Sequence, residues 1–487
     1  MIFTEKNWLG KEKTVFAITA LLVIPAFLIN LGMMTLIDDE GIRALVAKNM
    51  MTSGDYLSPR RFEALYFNKP PMWNWILIVS YSIFNQVSEF TTRLPTVFFA
   101  FLYGIAVYFL FKADLGKRSA ALLALLTITC GRILIYDSML GLIDICFSLV
   151  IFYMMIRMVH LARNEQWGRM YLVGYLLCAL AFMLKTLPAL AFLGISIMII
   201  VFTYGNWKKL FHWSHFVSFF LFLGILGSYY IPYSMVNGSE VLLMRMMEES
   251  GKRTFVDSGV GETILNLFTF PLSFSYHFLP WSILTIFLFK KGVLQKIWEN
   301  KFIRINILLL LANLLVYWLS PKIFARYLLM FPPFYYVGLL AAYRIHEQEN
   351  TRLFSIFQKV WLALLAILAI APFFSGLVPF AETINGLFGK SALLVVGLGA
   401  ITYFAFREKS DRLPYFVLAL VVLRIGFDVI ILPSRLAEDP GSRVRTESLD
   451  LAKEIEGSQV ILDTEKMFEP AIGFYLKSYE GTRLSQN

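Results

Sequence analysis

Three carboxylates and a lysine stand in the hydrophilic stretch that follows the first hydrophobic segment of this chain. Asp38, Asp39 and Glu40 open the stretch, and Lys69-Pro70-Pro71 lies near its end, just before a Trp-rich run. In a protein that is otherwise almost entirely apolar, charges held at a bilayer surface are costly unless they act on something. A carboxylate there can accept the proton of an attacking hydroxyl, and a lysine can meet a phosphate. The substrate that suits such a set is a lipid-linked phosphate.

The elements that must position these residues follow from composition. Of 487 residues, 58% are hydrophobic and only 16% charged, and the mean hydropathy is +0.64, well outside the range of soluble domains. Many segments reach the ~20 apolar residues of a membrane-crossing helix, whereas the alternating ten-residue strands of an outer-membrane barrel are missing. An all-α polytopic membrane protein is expected, with about thirteen spans. They are placed near 14–34, 94–112, 119–136, 139–160, 170–186, 188–204, 213–233, 277–290, 302–319, 324–343, 357–375, 389–407 and 413–432. The first span follows Lys6, Lys11 and Lys13 but lacks a small-residue cleavage site, so it is expected to stay as an anchor. Cys130, Cys146 and Cys178 lie inside apolar runs, without the spacings of a disulfide framework or a zinc site.

Orientation follows from the short basic loops, which stay on the cytoplasmic side. Lys112, Lys117 and Arg118, Arg163 and Arg169, Lys208 and Lys209, Lys290, Lys291 and Lys296, Arg344 and Arg352, and Arg407, Lys409 and Arg412 all fall on one side. The net charge of +10 is therefore a topology signal with affinity for anionic lipid, and no soluble basic domain points to nucleic acid. The other face carries two long loops, 35–93 and 234–276, and the tail from 434 onward. Residues 1–433 form the membrane domain and 434–487 a small extracytoplasmic segment. From Met72 to Phe84 the chain is too short to cross and rich in indole and phenol groups, so it should lie flat at the interface. The segment from Glu240 to Phe270 should do likewise. In the tail, helices are expected at Glu447–Glu456 and Pro470–Ser478 and a strand at Gln459–Leu462, packed on the bundle because about fifty residues bury little core alone.

An ordered set of motifs runs through the chain. Asp39-Glu40, Gly54-Asp55-Tyr56, Tyr66 with Asn68-Lys69-Pro70-Pro71, and Arg93-Leu94-Pro95 come first. Arg132 with Asp137, Leu184-Lys185-Thr186 before Pro188, Leu279-Pro280-Trp281, and Ser320-Pro321-Lys322 with Arg326-Tyr327-Leu328-Leu329 follow. The set resembles the bacterial branch of the GT-C glycosyltransferases that includes the aminoarabinose transferases of lipid A and relatives of the protein O-mannosyltransferases. The resemblance covers roughly residues 14–345.

It implies transfer of a sugar from a polyprenyl phosphate to an acceptor outside the cytoplasmic membrane, by inverting displacement. Negative charge then grows on a leaving phosphate oxygen, which fixed cations in a partly dry pocket stabilise best. Lys69, Arg253, Lys322 and Arg326 are the candidates, with Tyr327 as hydrogen-bond donor. All lie on the outer face, where topology gives cations no reason to collect. Snorkelling to headgroups is their bland alternative. Asp39 matches the family position for the base, with Glu40 and Asp137 as further catalytic candidates, while a helix cap is the plainer role for Asp38. Asp137 and Asp144, seven residues apart, are expected on one helical face, Asp144 deeper and structural. Arg424 and Asp428 are expected to neutralise one another within the last span. A divalent cation on oxygen ligands from Asp39, Asp137 or Glu248 is compatible with this set, but an obligatory one is not expected, since Asn68 stands where some relatives have a carboxylate. Lipid A or a related glycolipid leads as acceptor, with a protein acceptor as the alternative. An O-antigen ligase or polymerase is a nearer rival than a flippase, which would need intramembrane charges at the midplane and repeats.

Overall fold

The computed structural model describes residues 2–3, 11–238, 260–320, 323–379, 381–408, 411–436, 439–462, 470–477 and 483–486. Nine helices among them are long and apolar enough to cross a membrane, ten if the pair Leu265–His277 and Trp281–Phe289, bent by 119°, counts as one span. The thirteen expected spans are not reproduced as thirteen helices, for local reasons. The expected first span is α1 (Lys11–Leu28), which begins with Lys11, Glu12 and Lys13. Two further expected spans merge into α4 (Glu89–Ile128), 40 residues long. At ~1.5 Å per residue such a helix would be twice as long as the hydrocarbon layer is thick. Gly116 breaks it at φ 74°, ψ 161°, between the two predicted segments, with a backbone conformation that glycine adopts without steric cost. Pro332–Gln348, the counterpart of the predicted span 324–343, reaches only 17 residues.

The basic loops do meet on one face. Arg118 contacts Glu12 at 2.5 Å, Asp411 at 3.0 Å and Glu347 at 3.4 Å, and Arg344 reaches Glu347 at 2.6 Å and Asp411 at 2.8 Å. Arg163 pairs with Asp114, and Lys290 and Lys296 with Glu349. Charges from six separate segments are thereby tied together at one end of the bundle.

The other end is built on α2 (Asp38–Ser53) and α3 (Met72–Phe84). Pro70-Pro71 stops the preceding chain and frees α3 to begin, since proline supplies no amide donor. α3 spans the thirteen residues expected and stops at Asn85, whose φ of 47° places it in the left-handed region that ends many helices. The tail holds a helix, a strand and a helix in the expected order, Pro440–Glu454, Gln459–Leu462 and Pro470–Leu476, the first beginning well before the expected Glu447, and adds a parallel partner strand, Arg483–Gln486. It packs on α2: Leu36, Ala44, Leu45 and Phe62 share an apolar cluster with Ala452, Phe474, Tyr475 and Leu476. Lys48 donates to the Phe474 carbonyl at 3.1 Å, and Tyr475 and Arg445 both reach Glu89, at 2.9 and 3.1 Å. The helix whose first turn carries the acidic triplet is therefore held from outside by the end of the chain.

Candidate active site

The acidic triplet divides by environment. Neither Asp38 nor Asp39 caps α2; Glu40 does so, its Oε1 accepting from the Ile37 amide at 2.9 Å. Glu40 is completely buried. Its carboxylate takes a bidentate pair from Arg93, at 2.7 and 3.1 Å, and the Gly141 amide at 2.7 Å. Arg93 in turn donates to the Leu31, Met34 and Thr35 carbonyls. Glu40, one of the catalytic candidates, thus has both oxygens filled and clamps α2 to α4 and the Gly141 loop. A Cβ at residue 141 would lie 2.7 Å from Thr92 Cγ2 and 2.9 Å from the Thr92 carbonyl, so only glycine lets the amide come this close.

Asp39, next to Glu40, points elsewhere. Its side chain is 47% exposed and pairs with Arg326 at 2.7 Å. Arg326 lies over the Phe324 ring at 4.4 Å, and its Nε stands 3.8 Å from Asp144. Asp144 opens α5 (Asp144–Arg163) and pairs with Lys185 at the end of α6 (Trp167–Lys185). The Lys185 ammonium sits 4.2 Å from the centre of the Tyr327 ring. Lys69, Lys185, Thr186, Tyr317, Ser320 and Tyr327 line a cavity of about 290 Å³. Three segments far apart in sequence thus bring two lysines and two phenols to one hollow, and Asp144 links them to Arg326 and Asp39.

The local backbone at Lys185 is unusual. Thr186 joins α6 to α7 (Leu187–Tyr204) at φ 56°, ψ −131°, a conformation that disfavours β-branched residues and persists where surrounding packing enforces it. The turn ends α6 at Lys185 and starts the next helix at Leu187-Pro188, which leaves the lysine on the cavity wall.

Asp137 departs from its expected setting. It does not share a helix with Asp144; it lies in a short turn, Asp137–Met139, after a π-helical turn at Arg132–Tyr136, and α5 begins only at Asp144. Arg132 holds it through two bonds of 2.7 and 2.9 Å. Burial pushes its carboxyl up to about 6, against the pull of Arg132; the Asp144 charge adds to the rise, and that of Arg326 opposes it. The segment is anchored by the Gly131 amide, which donates to the Leu279 carbonyl at 2.8 Å. Leu279-Pro280-Trp281 therefore acts as a support for the Arg132–Asp137 pair.

Of the sequence-derived site residues, Asp39, Lys69, Arg326 and Tyr327 come together, and Asp137 stands within electrostatic reach. Arg253, Lys322 and Glu248 lie outside the described residues. For a cation, Asp39 and Asp137 are each engaged by an arginine, and no group of three His, Cys, Asp or Glu side chains converges among the described residues. From sequence, Lys185 belongs to the Leu184-Lys185-Thr186 motif near the end of its span and could either meet a phosphate or snorkel, while Asp144 reads as structural. The structure sets both beside the hollow.

This architecture has known counterparts. The fold matches the crystal structure of ArnT from Cupriavidus metallidurans bound to undecaprenyl phosphate, with a TM-score of 0.70 at 18% identity over 98% of this chain and 86% of that one. The apo form of the same protein matches with a TM-score of 0.67. Residues 68–228 match the family model of dolichyl-phosphate-mannose-protein mannosyltransferases. A 179-residue stretch is 30% identical to an undecaprenyl phosphate-alpha-4-amino-4-deoxy-L-arabinose arabinosyl transferase of Yersinia enterocolitica, covering 35% of this chain and 31% of that relative. An uncharacterised protein of Aquifex aeolicus is 31% identical over 124 residues, 25% of each chain. The matched stretches thus span about a third or less of the curated relatives. The chain is an integral membrane protein with the GT-C fold. Part of it is similar to the aminoarabinose transferases and to the protein-mannosyltransferase family model.

Proposed function

We propose that the protein transfers a sugar from a polyprenyl phosphate to an envelope acceptor at the extracytoplasmic face of a bacterial inner membrane, with inversion at the sugar carbon. The observation that carries this reading is the hollow lined by Lys69, Lys185 and Tyr327, joined through Asp144 and Arg326 to the half-exposed Asp39. Two ammonium groups and a phenol suit the phosphate that departs with the lipid; a carboxylate on the other side of Arg326 suits the incoming acceptor. As the sugar–phosphate bond lengthens, charge grows on the phosphate oxygens, and preorganised cations in a poorly hydrated pocket stabilise it without reorganising. Asp39 takes the acceptor's proton as the new bond forms. Arg326, shared between Asp39 and Asp144, fixes the direction of the base. Lipid A or a related glycolipid is the favoured acceptor, supported by the likeness to the aminoarabinose transferases. A protein hydroxyl is the second reading, favoured by the mannosyltransferase family match.

The deciding experiment is mass spectrometry of lipid A, glycolipids and glycoproteins from a deletion strain and its complemented parent. Loss of one sugar mass from a lipid, restored on complementation, is the expected result. Loss from a glycoprotein instead would select the second reading, and identical spectra would remove both.

Lys69 gives a sharper test of the phosphate assignment. Lys69→Ala should lower turnover about a hundredfold or more, a few kcal/mol of transition-state stabilisation. Lys291→Ala, at an exposed position in a basic short loop, should leave it unchanged. Equal activity of the two variants at equal expression would show that Lys69 does not hold the leaving group.

A further inference from the structure

The last long span, Leu413–Leu436, carries an ion pair for which the reaction just described has no use. Arg424 and Asp428 are 1% and 0% exposed, and the Arg424 Nε lies 2.9 Å from both carboxylate oxygens. Two buried charges that merely cancel are expensive to keep, since apolar residues of similar volume often serve as well. The guanidinium does more than cancel. Its Nη1 donates to the Leu134 carbonyl and to the Ser138 hydroxyl, the latter at 3.3 Å. The first acceptor lies inside the turn that links Arg132 to Asp137, and the second directly follows Asp137. The carbonyl of Asp428 itself accepts from the Asn30 side chain at 2.6 Å, at the end of α1, where the chain turns toward Asp39. The span also departs from α-helical geometry at Phe427–Ile431, a π-helical turn like that at Arg132–Tyr136, and such turns recur at functional sites.

We infer that Arg424 is a positioning residue: with Asp428 it locks the 132–139 segment, and with it the Arg132–Asp137 pair, in the geometry the transfer reaction needs. The inference rests on the proposed transferase reading. Lysine at this position would keep a cation beside Asp428, but a single ammonium lacks the rigid fork that reaches the carboxylate and the Leu134 carbonyl together.

The test uses the full-length protein in lipid nanodiscs and two variants, Arg424→Lys and the double change Arg424→Met with Asp428→Leu, which removes both charges and guards against misfolding of the first. Amide hydrogen exchange across residues 131–140 should rise at least tenfold in both variants, with the basic end of the bundle unchanged. Turnover should fall roughly ten- to hundredfold, as expected for a small misplacement of reacting groups, with the KM for the lipid-linked donor unchanged. Unchanged exchange in this segment would overturn the inference, and so would faster exchange with wild-type turnover. If the wild-type protein itself transfers no sugar, the transferase reading fails separately, and exchange alone decides whether Arg424 holds the segment.

Discussion

Asp39→Asn should lower turnover by roughly a hundred- to ten-thousandfold while leaving donor binding little changed. The substitution keeps the shape of the side chain and removes its ability to take a proton. The setting of Asp39 makes the test clean: the side chain is half exposed and, among the described residues, forms its ion pair with Arg326, so the loss should not unfold the helix behind it. Arg326 retains Asp144 as a counter-charge, 3.8 Å away. The size of the loss also reports on the acceptor. A hydroxyl must give up its proton as the bond forms, whereas a phosphate acceptor is already an anion and needs no base; the same change would then cost much less. Turnover and donor affinity, measured on purified enzyme with the acceptor found by mass spectrometry, separate the cases. Wild-type turnover would remove Asp39 from the mechanism, and weakened donor binding with normal turnover at saturation would move it to the donor side.

The second large effect is on stability. Glu40→Ala should destabilise the fold by about 3–5 kcal/mol, because it leaves the Arg93 guanidinium buried without its counter-charge and the Gly141 amide without an acceptor. One residue from Asp39, the same kind of side chain is thus expected to act on the opposite property. Glu63→Ala, at an exposed position between α2 and α3, is the control and should stay within about 0.5 kcal/mol of the parent. Unfolding of the purified protein in mixed micelles, followed by its helical signal, measures both. Parent-like stability of Glu40→Ala would mean that the clamp between α2 and α4 does not hold the site together, and the assignment of Glu40 as a structural residue would go with it.

Membrane class, the break between the two halves of α4, the short helix at Met72–Phe84 and the order of helices and strand in the tail were all legible in the chain. Each depends on properties that are local along it. Hydropathy over some twenty residues, a proline pair, an aromatic-rich run and a period of 3.6 are readable without knowing what packs where. The basic loops were legible for a different reason: the positive-inside rule acts on each loop separately, so the shared end of the bundle follows by counting. Lys69, Asp39, Arg326 and Tyr327 stood out because charged and phenolic groups on the outer face have no topological reason to be there.

The tertiary structure decided the rest. Glu40 and Asp39 are neighbours in sequence and in charge, yet one closes on Arg93, 53 residues away, and the other on Arg326, 287 residues away. Which partner each takes depends on how α2 is rotated against the bundle and the tail, and nothing in a run of three acids encodes that rotation. Asp137 and Asp144 have a helical spacing, but the chain between them is held in turns by bonds from Arg424 to Ser138, from the Gly141 amide to Glu40 and from Thr96 to the Leu142 carbonyl, and these contacts are made by residues far along the sequence. Lys185 looked like a lysine at a span's end until the strained Thr186 turn and Asp144 set it beside Tyr327. A side chain's type is a property of the sequence, but its partner, and hence its role, is set by long-range packing, because a buried charge is stable only where the fold delivers its counter-charge.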